Sequence, residues 1–186
     1  MTIDPSQFKA AMRSLTGHVC LITTCSEDGE RRGLTATAVC SVSAEPPMLL
    51  VCVNRSSPSS RAIEETGRFA VSVLGKDCIA LANRFASPIT PQEKFAAGRW
   101  ITLDTGAPVL ADSLASFDCH VDRKVEAGTH IILFGAICAL RISRANQPPL
   151  LYAHGGYGSF TSADALPVAD LLWISNWDPD EVQSAT

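Results

Sequence analysis

The spacing of hydrophobic positions changes from helical to strand-like near the start of the chain. In residues 5–15 the apolar side chains recur every three or four positions, and Asp4 precedes them as a capping residue. This pattern predicts a short helix with one apolar stripe. The β-branched and apolar run at 19–24 predicts a strand, and a turn then leads to a return strand at 34–43. A third strand, at 48–53, is apolar throughout and is expected to be buried on both faces.

The rest of the chain alternates strands with a few short helical stretches. The predicted elements are a helix at 58–66, a strand at 68–74, a helix at 76–85, two long strands at 116–126 and 129–142, and a hairpin that joins 150–152 to 157–160. Residues 86–112 carry mixed signals and are expected to cross the surface. About seven strands with short turns predict a mostly β protein with short helices, folded as a closed or nearly closed antiparallel barrel.

Composition and charge narrow the class of protein. The chain has 186 residues, of which 46% are hydrophobic and 18% charged, as expected for one globular domain. The net charge of −4 argues against a nucleic-acid binder, because phosphate neutralisation needs clustered Lys and Arg. The longest apolar run, 131–140, falls short of the roughly 20 residues of a membrane helix, and the N-terminus has no export signal. We therefore expect a cytoplasmic protein.

The chain divides at about residue 160. Residues 1–160 hold the predicted barrel, whereas residues 161–186 form an acidic C-terminal extension with five Asp or Glu residues and no Lys or Arg. The extension also contains the apolar residues Leu171, Leu172, Trp173 and Trp177. We expect it to pack on the body or on a second subunit and to fray at its end.

The cysteines and histidines do not indicate a metal site. Seven cysteines occur without a C-x-x-C pair, and the four histidines have no metal-ligand spacing. Free thiols in apolar strands behave as small hydrophobic side chains, so we expect Cys20, Cys40, Cys52 and Cys138 to pack in the core.

Two polar segments beside predicted strands are candidates for a binding site. In the first, Thr35 and Thr37 alternate with Ala36 and Ala38, so both hydroxyls point to one face and the small side chains let a flat ligand approach the backbone. The alternative is a strand with solvent-facing threonines.

The second segment is the start of the helix predicted at 58–66. Ser57 is its cap, Ser59 and Ser60 add hydroxyls, and Arg61 adds a formal charge one turn in. A helix start offers unpaired N–H groups and partial positive charge, which suit a phosphate. The alternative is an ordinary serine-capped helix.

In this order, the segments resemble the flavin reductase family, and in particular the small reductase components of two-component flavin monooxygenases such as 4-hydroxyphenylacetate 3-monooxygenase. The resemblance rests on residues 33–43, Pro46–Pro47, 51–54 and Ser57, continues at 108–116, and is weaker at 128–130 and 151–152. It implies an FMN-binding split β-barrel that forms a homodimer, with the flavin in a groove near the subunit interface.

The same resemblance assigns roles to individual residues. Thr35, Ala36, Thr37 and Ala38 would line the isoalloxazine edge and contribute to the phosphate site, Cys52, Val53 and Asn54 would run past the ring, and Ser57 with Ser59 or Ser60 would hold the phosphate. Phe85 would pack near the flavin, and His130 and Tyr157 would lie on the side where the nicotinamide docks. For His130, nicotinamide binding, proton relay to the flavin and a purely structural strand histidine all stay open.

The implied activity is hydride transfer from NADH to FMN or FAD, with NADPH as the alternative donor. The cofactors carry this chemistry themselves, so no side chain need be essential. The reduced flavin would then leave for a partner flavin-dependent oxygenase. One alternative is a reductase of the same fold that keeps its flavin and delivers electrons to a corrinoid or an iron chelate. The other is a flavin-binding protein without turnover.

This chain departs from the family's pattern in two places. Gly155–Gly156 stands where relatives often carry bulkier or basic residues, and the acidic extension is longer than in compact relatives.

Overall fold

The structure, a computed structural model, describes residues 3–143 and 147–160. Its helices are α1 (Pro5–Met12), α2 (Pro58–Thr66), α3 (Ile79–Ala86) and α4 (Pro91–Phe95), with a 3₁₀ turn at Lys76–Cys78. Its strands are β1 (Gly17–His18), β2 (Cys20–Cys25), β3 (Arg31–Ala36), β4 (Val39–Ala44), β5 (Pro47–Asn54), β6 (Arg68–Val73), β7 (Trp100–Thr102), β8 (Pro108–Leu110), β9 (Ala115–Ala127), β10 (His130–Ile142), β11 (Leu150–Ala153) and β12 (Gly156–Ser159).

Seven strands form one antiparallel sheet in the order β3-β2-β6-β9-β10-β5-β4. Its two outermost strands, β3 and β4, follow each other in the chain and are joined only by Thr37 and Ala38. A link of two residues can connect opposite edges only if the sheet curls until those edges meet. The predicted nearly closed antiparallel barrel is therefore confirmed, and the single long strand expected at 34–43 is wrong, because it divides at this link.

The barrel interior is filled by alternating side chains from its strands. The main cluster includes Val51, Phe69, Val71, Ile131 and Leu133, all essentially inaccessible to solvent. Gly135 lies where a Cβ would come within 2.5 Å of Phe69 Cζ, so only glycine lets the aromatic ring fill this part of the barrel. A second cluster, which includes Leu21, Leu74 and Phe85, joins the barrel to α3.

Two expectations about burial are wrong. Residues 86–112 do not merely cross the surface, since they form α4 and the β7–β8 hairpin and bury Val109 and Leu110. The capping box of Thr90 and Glu93, which starts α4, went unnoticed in the sequence. Strand β5 is not buried on both faces, because its outward residues at 48, 50 and 52 are only half-buried.

The cysteines divide by the face of the sheet on which they lie. Cys20 and Cys119 are buried and Cys52 is half-buried, but Cys40 and Cys138 are exposed, so the expected core positions of those two are wrong. Cys40 lies on an edge strand, and Cys138 lies at an irregularity in the β9–β10 pairing. All seven are free.

The N-terminal helix forms where predicted, and the Asp4 carboxylate accepts hydrogen bonds from the backbone N–H groups of Ser6 and Gln7. None of its residues is buried. The acidic extension, residues 161–186, lies outside the described residues. Within the described ranges, no helix has the length and apolar character to cross a membrane.

Candidate functional site

A crevice of about 390 Å³ opens beside the link that joins the two barrel edges. Its walls come from three places: the end of β3 with the link, helix α3, and the β11–β12 hairpin. The residues concerned are Thr35, Ala36 and Thr37, then Asn83 and Ala86, then Tyr152 and Tyr157. The structure thus brings Tyr157 together with the Thr-Ala segment, which lies more than a hundred residues earlier in the chain.

The two threonines of this segment have different roles. Thr35 Oγ1 donates a hydrogen bond to the backbone oxygen of Ala82, at 2.7 Å, and so fastens β3 to α3. Thr37 is exposed, and its hydroxyl has no hydrogen-bond partner among the described residues. Thr37 and the exposed Ala38 are therefore free to face a ligand, whereas Thr35 fixes the wall behind them.

A lysine reinforces the same wall. Lys94 Nζ donates to the backbone oxygens of Phe85, at 2.9 Å, and Gly33, at 3.3 Å. Its partial burial lowers the pKa of the ammonium group. Lys94 thus ties α4 to both α3 and β3.

The opposite wall is aromatic. Tyr157 donates its hydroxyl hydrogen to Asn83 Oδ1 at 3.0 Å, and its ring meets that of Tyr152 edge to face, with centroids 5.4 Å apart. Partial burial raises the pKa of Tyr157, with a smaller contribution from Tyr152. The sequence indicated no role for Asn83 or Tyr152. Tyr152 could have been found from its pairing with Tyr157 across the turn of the predicted hairpin, whereas Asn83 has no such signal.

The segment 52–54 continues the site along β5. The backbone N–H of Cys52 donates to the Ala38 oxygen at 3.0 Å, so this segment lies directly beside the link. Val53 points into the barrel, and Cys52 is half-buried on the outer face, where burial raises the pKa of its thiol. Asn54 Oδ1 accepts hydrogen bonds from the N–H and hydroxyl of Ser56, which shapes the turn leading to α2.

The three serines at the start of α2 are not equivalent. Ser57 Oγ accepts a hydrogen bond from the Ser60 N–H at 3.0 Å, so its own hydroxyl hydrogen is left to donate to a ligand. Ser59 is buried, and Ser60 is fully buried with a hydroxyl that has no hydrogen-bond partner in the described part of the chain. Of the three, Ser57 alone offers surface.

Three other predicted site residues lie apart from the crevice. Arg61 is exposed and lines a separate hollow with Arg32 and Glu65. Phe85 is 1% exposed and packs edge to face on Phe95, at 5.0 Å between centroids, so it has no surface to offer a ligand. His130 is exposed at the start of β10, opposite Asn54, with Nδ1 2.9 Å from the Thr129 hydroxyl oxygen.

Some of the predicted site residues lie along one continuous path. It runs from Thr37 and Ala38, across the hydrogen bond to Cys52, along β5 to Asn54, and on to Ser57. Small side chains at one end and a hydroxyl donor at the other fit a flat ring with an anionic tail. These residues thus fit a flavin mononucleotide moiety, and the fold and site define a flavin-binding split barrel.

Comparison with known proteins gives the same class. Residues 12–161 match the model of the flavin reductase like domain. The FMN reductase (NADH) RutF of Ancylobacter novellus is 43% identical over 138 residues, which cover 74% of this chain and 76% of that protein. This chain belongs to the flavin reductase family.

Solved structures agree with this assignment. The Streptomyces globisporus C-1027 NADH:FAD oxidoreductase SgcE6, in complex with NAD and FAD fragments, superposes with a TM-score of 0.78 at 27% identity, covering 91% of this chain and 99% of that one. BorF, the flavin reductase component of a bacterial two-component tryptophan halogenase, gives 0.77 at 28% identity, covering 86% and 100%.

The unequal roles of the two threonines can be tested with the nearly isosteric replacements Thr35→Val and Thr37→Val. Thr35→Val leaves the Ala82 oxygen without its partner and should lower the free energy of unfolding by about 1 kcal/mol. Thr37→Val, the matched control, should change it by less than about 0.5 kcal/mol. Urea denaturation measures both, and equal losses would contradict the assignment.

Proposed function

We propose that this protein is an NADH-dependent flavin reductase that reduces FMN or FAD and releases the reduced flavin to a partner oxygenase. The observation that carries the proposal is the continuous path from the exposed Thr37 and Ala38 to the Ser57 hydroxyl. The names of the RutF relatives favour FMN and NADH, and SgcE6 with its NAD and FAD fragments keeps FAD as an alternative flavin. A cytoplasmic location accords with the use of NADH, a cofactor held inside the cell.

The flavin supplies the hydride-accepting chemistry when it is bound. Thr37 and Ala38 would border its ring, and backbone groups of β5 around Cys52 and Asn54 would run along the polar edge. Ser57 would donate its hydroxyl hydrogen to the phosphate, aided by the positive end of the α2 dipole. Ser59 and Ser60 would support this turn from beneath, since both are buried.

Tyr157 and His130 would lie at opposite ends of the path. Tyr157, held by Asn83, would form the aromatic wall against which a nicotinamide or flavin ring packs. His130 would contact the nicotinamide from the Asn54 end or relay a proton to the flavin there. Phe85 would act from the core, by setting the position of α3, and Arg61 would contribute only long-range positive charge.

We further propose a homodimer that forms through the outer face of β5 and β10. On this face the cross-strand pairs Leu50–Phe134 and Cys52–Ile132 are apolar but only half-buried in the single chain. Such a continuous apolar surface on a sheet is typical of a subunit interface. This face includes Cys52, so the proposed flavin path would run beside the second subunit.

The decisive experiment measures oxidation of NADH by the purified protein with riboflavin, FMN or FAD added in turn. We expect saturable turnover that depends on free flavin, because the proposed crevice is open to solvent. Turnover that requires a corrinoid or an iron chelate, with flavin retained through dialysis, would instead support the prosthetic-flavin alternative. Flavin binding without NADH oxidation would support a carrier. Turnover with NADPH in place of NADH tests the preferred donor.

The phosphate role of Ser57 can be tested with Ser57→Ala. Loss of a hydroxyl hydrogen bond to a charged group should weaken FMN binding roughly tenfold while leaving riboflavin, which lacks the phosphate, nearly unchanged. Thr90→Ala is the matched control, since it also removes a helix cap but from α4. Fluorescence titration gives both affinities, and a parallel loss for FMN and riboflavin would contradict this role.

The role of His130 can be tested with His130→Ala. We expect the apparent KM for NADH to rise several-fold and the flavin dissociation constant to stay within about twofold, because the imidazole would contact only the nicotinamide. His120→Ala, which removes another exposed strand histidine, should change neither value. Steady-state kinetics measures the KM, and an unchanged value in His130→Ala would end the assignment.

A further inference from the structure

Helix α1 leaves an apolar surface uncovered. Phe8, Met12 and Leu15 form the stripe predicted from the sequence, yet they are 54%, 47% and 64% exposed. They line a hollow of about 580 Å³, which we call the α1 groove, together with Lys9, Arg13 and the exposed link residues Thr37 and Ala38. Contiguous large apolar side chains on a surface mark a binding site, because exposing them to water costs free energy.

The α1 groove also carries unpaired positive charge. Lys9 and Arg13 both line it, and neither forms an ion pair with any described residue. The groove therefore fits an occupant that is both apolar and acidic.

Residues 161–186 have this composition. The segment contains five acidic residues and no Lys or Arg, in a chain whose other residues carry all fifteen basic side chains. Its large apolar residues are concentrated at Leu171, Leu172, Trp173 and Trp177. Acidic residues flank them on both sides, at Asp170 and Asp178.

The segment starts close enough to the groove to reach it. It follows Phe160, one residue beyond β12, and β12 lies two strands from β1, since β11 pairs with both. Two strand spacings are about 10 Å. The register places Gly17 level with Tyr157, which lies about 10 Å back along β12 from Phe160. Leu171 comes eleven residues after Phe160, an extended reach of roughly 36 Å.

We propose that residues 161–186 dock in the α1 groove of their own chain. The residues Leu171, Leu172, Trp173 and Trp177 cover Phe8, Met12 and Leu15, and the acidic side chains pair with Lys9 and Arg13. The docked segment then borders Thr37 and Ala38, which also line the groove. The docking itself does not depend on the proposed function; only its position beside the flavin rests on that proposal.

Hydrogen exchange of the backbone amides in residues 5–16 tests the docking without flavin or NADH. Compared with a chain ending at Phe160, the full chain should exchange these amides at least tenfold more slowly, because a covered helix opens less often. Equal exchange in the two chains would overturn the proposal. Since no cofactor is present, this result stands apart from success or failure of the reductase assay.

The charge component has its own test. In the full chain, the double variant Lys9→Glu and Arg13→Glu should raise the exchange rate to that of the shortened chain, whereas in the shortened chain the same changes should have little effect. That second measurement is the control for damage to α1 itself. Full protection in the charge-reversed full chain would overturn the proposed pairing.

Photo-crosslinking separates the chain's own segment from a second copy. With p-benzoylphenylalanine introduced at Trp173, light should join this position to residues 5–16 in a product of monomer mass. An adduct of dimer mass would mean that the groove receives the segment of a second copy, and no adduct with α1 would mean that something else covers it. Either result would overturn docking within one chain.

Discussion

The whole site depends on one topological constraint, the two-residue link between the outermost strands of the sheet. Because Thr37 and Ala38 must connect β3 to β4 across the opening of the barrel, both residues lie outside the strands and are exposed. The Ala38–Cys52 hydrogen bond anchors one side of the link, and the Thr35–Ala82 hydrogen bond anchors the strand that leads into it. The same two residues therefore close the barrel and, being small and exposed, leave room for a flat ligand.

The chemical character of the crevice follows from this geometry. The residues that line the crevice carry no charged side chain, and Lys94, which supports the wall behind them, donates its hydrogen bonds to backbone oxygens. A protein that only needs to hold two rings face to face requires shape and hydrogen-bond donors more than acids and bases. The arrangement therefore accords with cofactor-borne chemistry, and the family membership of residues 12–161 agrees with it.

Periodicity and capping signals were enough to place most strands and α2, whose cap at Ser57 is as expected. They could not show that residues 34–43 serve two sheet edges, because a strand and a strand-link-strand have the same apolar pattern. Nor could they distinguish Thr35 from Thr37, since the difference lies in α3, forty-seven residues away. The sequence also could not predict the burial of Ser60 and Phe85, because the burial of a single hydroxyl or aromatic ring beside a motif depends on tertiary packing.

The Tyr157–Asn83 contact limits how far the crevice can widen for a ligand. Asn83 belongs to α3, and α3 is fastened to the barrel by Thr35 and, through Phe85, by Lys94. The gap between the aromatic wall and β3 is therefore set by the Tyr157–Asn83 hydrogen bond together with the anchors of α3, and a thicker ligand would have to break that bond or displace α3 to enter. A crevice of fixed width selects its ligands by their thickness and tolerates differences in the groups that project from its opening.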